Sequence, residues 1–89
     1  MFDQNEVLMF DNRNLSFAKI ISSSESECQL LSFEVSSSPI FSRKAKIILN
    51  ISNRENRTSI NIEAKLVSVS RKDGKWIYKA KWEKLPTFE

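Results

Sequence analysis

Few side chains in this 89-residue sequence could carry out acid–base, nucleophilic or metal chemistry. The chain has no histidine and a single cysteine, Cys28, so a His/Cys metal site cannot be assembled. Gly74 is the only glycine, which excludes a glycine-rich phosphate loop. Hydroxyls adjoin carboxylates in the Ser-Glu-Ser-Glu run at 24–27, but adjacent residues of a polar turn are ordinarily solvated. The sequence therefore predicts a protein that is not an enzyme and has no metal or other cofactor.

A second group of side chains could hold nucleic acid. Trp76, Tyr78 and Trp82 are separated by even numbers of positions, two and four. Aromatic rings beside a basic groove can stack on bases. In an extended strand these rings share one face, while the lysines between them share the other. An aromatic stripe of this kind is more typical of a core, although binding of single-stranded nucleic acid stays open as an alternative. The basic face of that alternative consists of Lys44, Lys46, Lys79 and Lys81.

Charge is distributed unevenly along the chain. The net charge is +3, but residues 1–42 sum to −4 and residues 43–89 to +7. The later strands should therefore carry a basic surface that attracts phosphates or an acidic protein. The N-terminus lacks the basic start and long apolar run of a signal peptide, and no apolar run could span a bilayer. These features, with the single cysteine, indicate a cytoplasmic location and no membrane insertion.

The second half of the sequence alternates with a period of two, which is typical of half-buried strands. One strand is predicted over residues 44–51 and another over 59–70, with a change of phase at Val67 that predicts a β-bulge. The polar residues 52–58 between them read as a hairpin loop. Asp73-Gly74 predicts a second hairpin, which leads into the aromatic strand 76–82.

The first half contains two further strands, at 15–21 and 28–35, which flank a serine-rich turn. Pro39 then interrupts the pairing, because proline lacks the backbone donor that a strand ladder needs. Residues 1–14 are assigned to an N-terminal arm, in which residues 4–10 are either a helical turn or extended. The predicted architecture is all-β, a small antiparallel barrel of five to six strands formed by a single domain at 15–89.

The order of these elements resembles the PilZ domain, a small bacterial split barrel. The resemblance covers roughly residues 15–85, with the family's turn motif on 22–27 and its closing hairpin on AKLVSVSRKDGKWIYKAKWEKL. Ser24 keeps the identity of that motif. Ser22 stands where Asp or Asn is usual, and Glu27 where glycine is usual. PilZ receptors for cyclic di-GMP also carry an R-x-x-x-R pair before the first strand, of which this chain has only Arg13.

The resemblance implies a regulatory adaptor that works through protein contacts and binds cyclic di-GMP weakly or not at all, since one clamp arginine is missing. An alternative is a functional cyclic di-GMP receptor with an atypical site. Two further hypotheses are a basic barrel that binds single-stranded nucleic acid and a domain that dimerises through an open sheet edge. The candidate ligand contacts are Arg13, Ser22, Ser24 and Glu27.

Overall fold

The computed structural model describes residues 5–53, 55 and 57–82 of this chain. Its strands are β1 (Glu6–Phe10), β2 (Leu15–Ser23), β3 (Glu27–Val35), β4 (Lys46–Asn53), β5 (Thr58–Lys72) and β6 (Lys75–Trp82). All neighbouring strands are antiparallel in the order β1-β2-β3-β6-β5-β4, and β1 also pairs with β4, which closes the barrel. The expectation of an all-β antiparallel barrel of five to six strands is confirmed.

Alternation of apolar and polar side chains gives the barrel its apolar interior. In β4, Ile47, Leu49 and Ile51 are buried, whereas the residues between them lie on the outside. The same holds for β6, whose Tyr78 and Trp82 are buried in the core. Each fully buried large side chain contributes about 1.5–3 kcal/mol relative to exposure, so this interior supplies the main driving force for folding.

Residues 6–10, which the sequence pattern assigns to an arm, form the first strand of the barrel. Val7 and Met9 point into the core, and β1 pairs with β2 on one side and with β4 on the other. The extended alternative for this segment is therefore correct and the helical turn is wrong. The hypothesis of an open sheet edge is also wrong for the described strands, because each has a neighbour on both sides.

The predicted bulge and hairpin are both present. The partners of β5 on β6 shift between Leu66 and Ser68, so Val67 has no partner on β6. Asp73 and Gly74 have φ values of 52° and 80°, the left-handed pair of angles that a two-residue hairpin requires. In the predicted polar loop at 52–58, residues 54 and 56 lie outside the described residues, as do residues 1–4 and 83–89 of the predicted domains.

The connection from β3 to β4, residues 36–45, covers one end of the barrel. Phe41 on this crossover is 1% exposed and packs edge-on against Tyr78, with ring centroids 5.9 Å apart. The backbone N–H of Lys44 donates to the carbonyl of Leu66 on β5 at 2.9 Å. The crossover thus passes from β3 to the far side of the barrel and closes the core with an aromatic side chain. Within the described part of the chain, no helix is long and apolar enough to cross a membrane.

Candidate binding surfaces

Arg13 lies in the turn between β1 and β2, at one end of the barrel. The carboxylate of Asp11 accepts hydrogen bonds from the backbone N–H groups of Arg13 (2.8 Å) and Asn14 (2.7 Å). These two bonds hold the pKa of Asp11 below its usual range. Arg13 itself is exposed, and β2 carries the chain away from it toward the other end of the barrel.

The other three candidate contacts lie at the opposite end. Ser22 is on β2, and Ser24 begins the turn to β3, where its backbone N–H donates to the carbonyl of Glu27 at 2.8 Å. Ser22 is nine positions after Arg13 along a largely extended chain, which corresponds to roughly 30 Å at about 3.3 Å per residue. The structure therefore brings Ser22, Ser24 and Glu27 together but does not bring Arg13 to them.

Local contacts already occupy the residues of this turn. The Ser24 hydroxyl lies 3.4 Å from the backbone N–H of Ser26, and the Glu27 carboxylate forms an ion pair of 3.2 Å with Lys79. The indole N–H of Trp82 donates to the carbonyl of Glu25 at 2.9 Å, which ties the end of β6 to the same turn. The arrangement stabilises the turn and presents an acidic group that is already paired with a lysine.

The aromatic side chains of β6 face the inside of the barrel. Tyr78 and Trp82 are 1% and 4% exposed, so neither ring is available on the outer surface. Trp76 is half-buried, and its indole N–H lies 3.2 Å from the carbonyl oxygen and 3.1 Å from the hydroxyl of Ser36. Arg71 lies over the Trp76 ring at 5.5 Å. The core interpretation of the stripe is confirmed for Tyr78 and Trp82, and the basic outer face of β6 has no stacking platform from this strand.

Three lysines stand side by side on the outer surface of β4, β5 and β6. Lys65 is the cross-strand partner of Lys46 on one side and of Lys81 on the other, and all three are exposed. Within the described residues none of the three has an ion pair. Like charges directly opposite each other on neighbouring strands are destabilising. We call Lys46, Lys65 and Lys81 the lysine row.

The lysine row contains only part of the basic face expected from the sequence. Lys44 is exposed and precedes β4, with a φ of 72°, whereas Lys79 is engaged by Glu27. Lys65 was not among the expected residues, because its position depends on the bulge at Val67. Without that shift, the register of the hairpin would place Trp82 rather than Lys81 opposite Lys65.

Apolar side chains cover the outer surface around β1 and β2. Phe17 is 54% exposed and stands opposite Leu8, while Leu15 is 56% exposed and stands opposite Phe10. Phe10 in turn is the cross-strand partner of Ile48 on β4. Scattered exposed apolar residues are ordinary, but a contiguous group indicates an interaction surface. We call Leu8, Phe10, Leu15, Phe17 and Ile48 the apolar face.

The linear sequence offered no clear sign of the apolar face. In LSFAKI, the outward-pointing Leu15 and Phe17 and the inward-pointing Ala18 and Ile20 are all apolar, so alternation does not separate the two sides. The order of strands places β2 opposite β5 across the barrel. Leu15 and Phe17 on β2 therefore lie on the opposite side of the barrel from Lys65 on β5, whereas the apolar face and the lysine row meet on β4, where Ile48 follows Lys46 on the outer surface.

Chemically reactive groups are scarce in the described part of the chain. It contains no group of three or more His, Cys, Asp or Glu side chains that could hold a metal ion. Cys28 is a buried free thiol in the core, and burial raises its pKa to about 12, with a further contribution from the negative charge of Glu27.

Comparison with known proteins identifies no family for this sequence. No protein-family model matches the chain, and no curated protein matches it at a significant level.

Proposed function

We propose that this barrel is a non-catalytic adaptor that binds a protein partner through the apolar face. The observation that carries the proposal is the contiguous apolar surface around Leu15 and Phe17, each more than half exposed. Interfaces gain most of their affinity from a few large apolar or aromatic side chains that become buried on binding. Phe10, Leu15 and Phe17 are side chains of this kind.

The resemblance to PilZ adaptors is part of this proposal and is supported by the order of strands, the bulge and the closing hairpin. Cyclic di-GMP binding by the residues expected from the sequence is not supported, because Arg13 and Ser24 lie at opposite ends of β2. A cytoplasmic location is also part of the proposal, and the buried free thiol of Cys28 is compatible with a reducing compartment.

The test compares partner capture by three forms of the full chain. Phe17→Ser combined with Leu15→Ser removes the two most exposed residues of the apolar face, whereas Val35→Ser removes an even more exposed apolar side chain, on β3, that is not part of the face as defined. Proteins captured from the source cell and identified by mass spectrometry should be retained by the parent and by Val35→Ser but lost by the double variant. Unchanged capture by the double variant contradicts the proposal.

A second measurement separates the adaptor from the receptor alternative. Calorimetric titration of the parent protein with cyclic di-GMP should give no heat of binding at micromolar concentrations. Micromolar or tighter binding would replace the adaptor with a receptor whose site differs from the one expected from Arg13, Ser22 and Ser24.

A further inference from the structure

We propose that the lysine row binds the phosphate backbone of double-stranded nucleic acid without reading its sequence. The row shares only β4 with the apolar face, and its middle residue, Lys65 on β5, lies opposite β2, which carries Leu15 and Phe17. An adaptor with both surfaces would attach its protein partner to a nucleic acid.

The arrangement of the three lysines has no explanation in the stability of the fold. Lys46, Lys65 and Lys81 face each other across adjacent strands, where mutual repulsion lowers stability. Lysines often protect the open edge of a sheet from aggregation, but β4, β5 and β6 each have neighbours on both sides. Two acidic residues adjoin the row: Glu27 on β3 is the cross-strand partner of Lys81, and Glu63 is the outward residue before Lys65 on β5. The Glu27 carboxylate is paired with Lys79 at 3.2 Å, and among the described residues neither acid forms an ion pair with the row. An external anion would relieve the repulsion.

The spacing of the row suits a regularly repeating anion. Neighbouring strands are about 4.8 Å apart, so the backbone positions of Lys46 and Lys81 are about 10 Å apart, with Lys65 between them. One strand of a DNA duplex carries a negative charge every 3.4 Å or so along its axis, so about three phosphates fall within that length. Lysine suits such contacts because its ammonium group is a point charge on a flexible stem.

The surroundings of the row favour the backbone of a duplex over other anionic partners. Single-stranded nucleic acid is usually held by rings that stack on its bases, but Tyr78 and Trp82 point into the core. A protein interface would be expected to place a large exposed apolar anchor among the charges, whereas Ile48 beside Lys46 is partly buried and the exposed Leu15 and Phe17 lie on β2. Those same residues could not insert into an anionic membrane that the row contacts.

The experiment measures fluorescence anisotropy of a labelled duplex DNA titrated with the full chain at about 50 and about 200 mM salt. Three phosphate contacts predict that affinity falls about 40-fold between these concentrations, because displaced counterions drive binding. Lys46→Gln with Lys65→Gln leaves one contact and should reduce that fall to about 3-fold. The matched control is Lys72→Gln with Lys75→Gln, at the hairpin that closes β5 and β6. Both double variants lower the net charge of +3 by two.

The proposal predicts that the hairpin control keeps the affinity and salt dependence of the parent. It is overturned by no binding at the lower salt concentration, by equal losses in the two double variants, or by at least tenfold tighter binding of the corresponding single strand. Binding to anionic lipid vesicles without binding to the duplex would also overturn it. The double variant with Phe17→Ser and Leu15→Ser should bind the duplex like the parent. Duplex binding by the lysine row and partner binding by the apolar face can therefore be tested separately.

Discussion

The phenolic oxygen of Tyr78, which points along the inside of the barrel, accepts a hydrogen bond of 3.1 Å from the backbone N–H of Ile40. Tyr78 lies on β6, whereas Ile40 lies on the crossover that covers the end of the barrel. The contact thus attaches the crossover to β6, next to the edge-on packing of Tyr78 against Phe41. It also provides a partner for a backbone donor that the crossover would otherwise leave without one.

Removal of this hydroxyl should loosen the crossover. Tyr78→Phe keeps the ring and its packing but leaves the Ile40 N–H without its acceptor, so we expect a loss of about 1–2 kcal/mol in the free energy of unfolding. Urea denaturation followed by tryptophan fluorescence measures it. Ser24→Ala, which removes only long hydrogen bonds in an exposed turn, should change stability by less than about 0.5 kcal/mol. A Tyr78→Phe effect as small as that of the control would show that this contact contributes little.

Gly74 in the β5–β6 hairpin should not tolerate alanine. Its φ is 80°, and a Cβ at this position would lie 2.9 Å from a methyl carbon of Val35. We expect Gly74→Ala to lower the free energy of unfolding by about 1–2 kcal/mol from backbone strain, with an added cost from this close contact. In a Val35→Ala background the contact is removed and the strain remains. The difference between the two backgrounds in chemical denaturation therefore isolates the contact, and a zero difference would mean that Val35 moves aside freely.

A charge reversal in the middle of the lysine row should stabilise the protein. Lys65→Glu would replace two repulsive cross-strand pairs, with Lys46 and Lys81, by two attractive ones, and we expect a gain of about 0.5 kcal/mol at low salt. Lys65→Gln, which only removes the repulsion, should give a smaller gain. Thermal denaturation at low and high salt measures both effects, and the gains should shrink as salt screens the charges. A loss of stability for Lys65→Glu at low salt would contradict the inference that Lys65 is repelled by Lys46 and Lys81.

The buried thiol of Cys28 should make the protein less stable at alkaline pH. Its pKa is raised from 9.0 to about 12 in the folded state, so above pH 9 the unfolded chain releases a proton that the folded chain retains. The stability that depends on the neutral thiol is present in full below pH 9 and is lost as the pH rises through 12, by at most about 1.4 kcal/mol per pH unit.

Denaturation measured between pH 8 and about pH 11 for the parent and for Cys28→Ala tests this dependence. The variant should lose less stability over that range, although its absolute stability will be lower because a core side chain is shortened. Parallel curves for the two proteins would mean that the thiol titrates equally in both states. The native thiol should also resist alkylation at pH 8 and react once the chain is unfolded.

Local patterns in the sequence were sufficient for much of the architecture. Alternation in β4, β5 and β6 specified which side chains face the core, because a strand turns successive residues to opposite sides. The phase change at Val67 and the Asp73-Gly74 pair located the bulge and the hairpin, since each is a property of a few neighbouring residues. These predictions required no knowledge of which distant strands pair.

The binding surfaces were decided by pairings between distant parts of the chain. β1 became the sixth strand only because it fits between β2 and β4, and this closure assembled the apolar face from three strands. Lys65 joined Lys46 and Lys81 because the hairpin registers and the bulge combine to align them. Arg13 and Ser24, eleven positions apart in the sequence, were held at opposite ends of one extended strand. Residue types and their alternation were enough to specify strands, whereas register and closure, which depend on long-range contacts, determined which outward side chains meet.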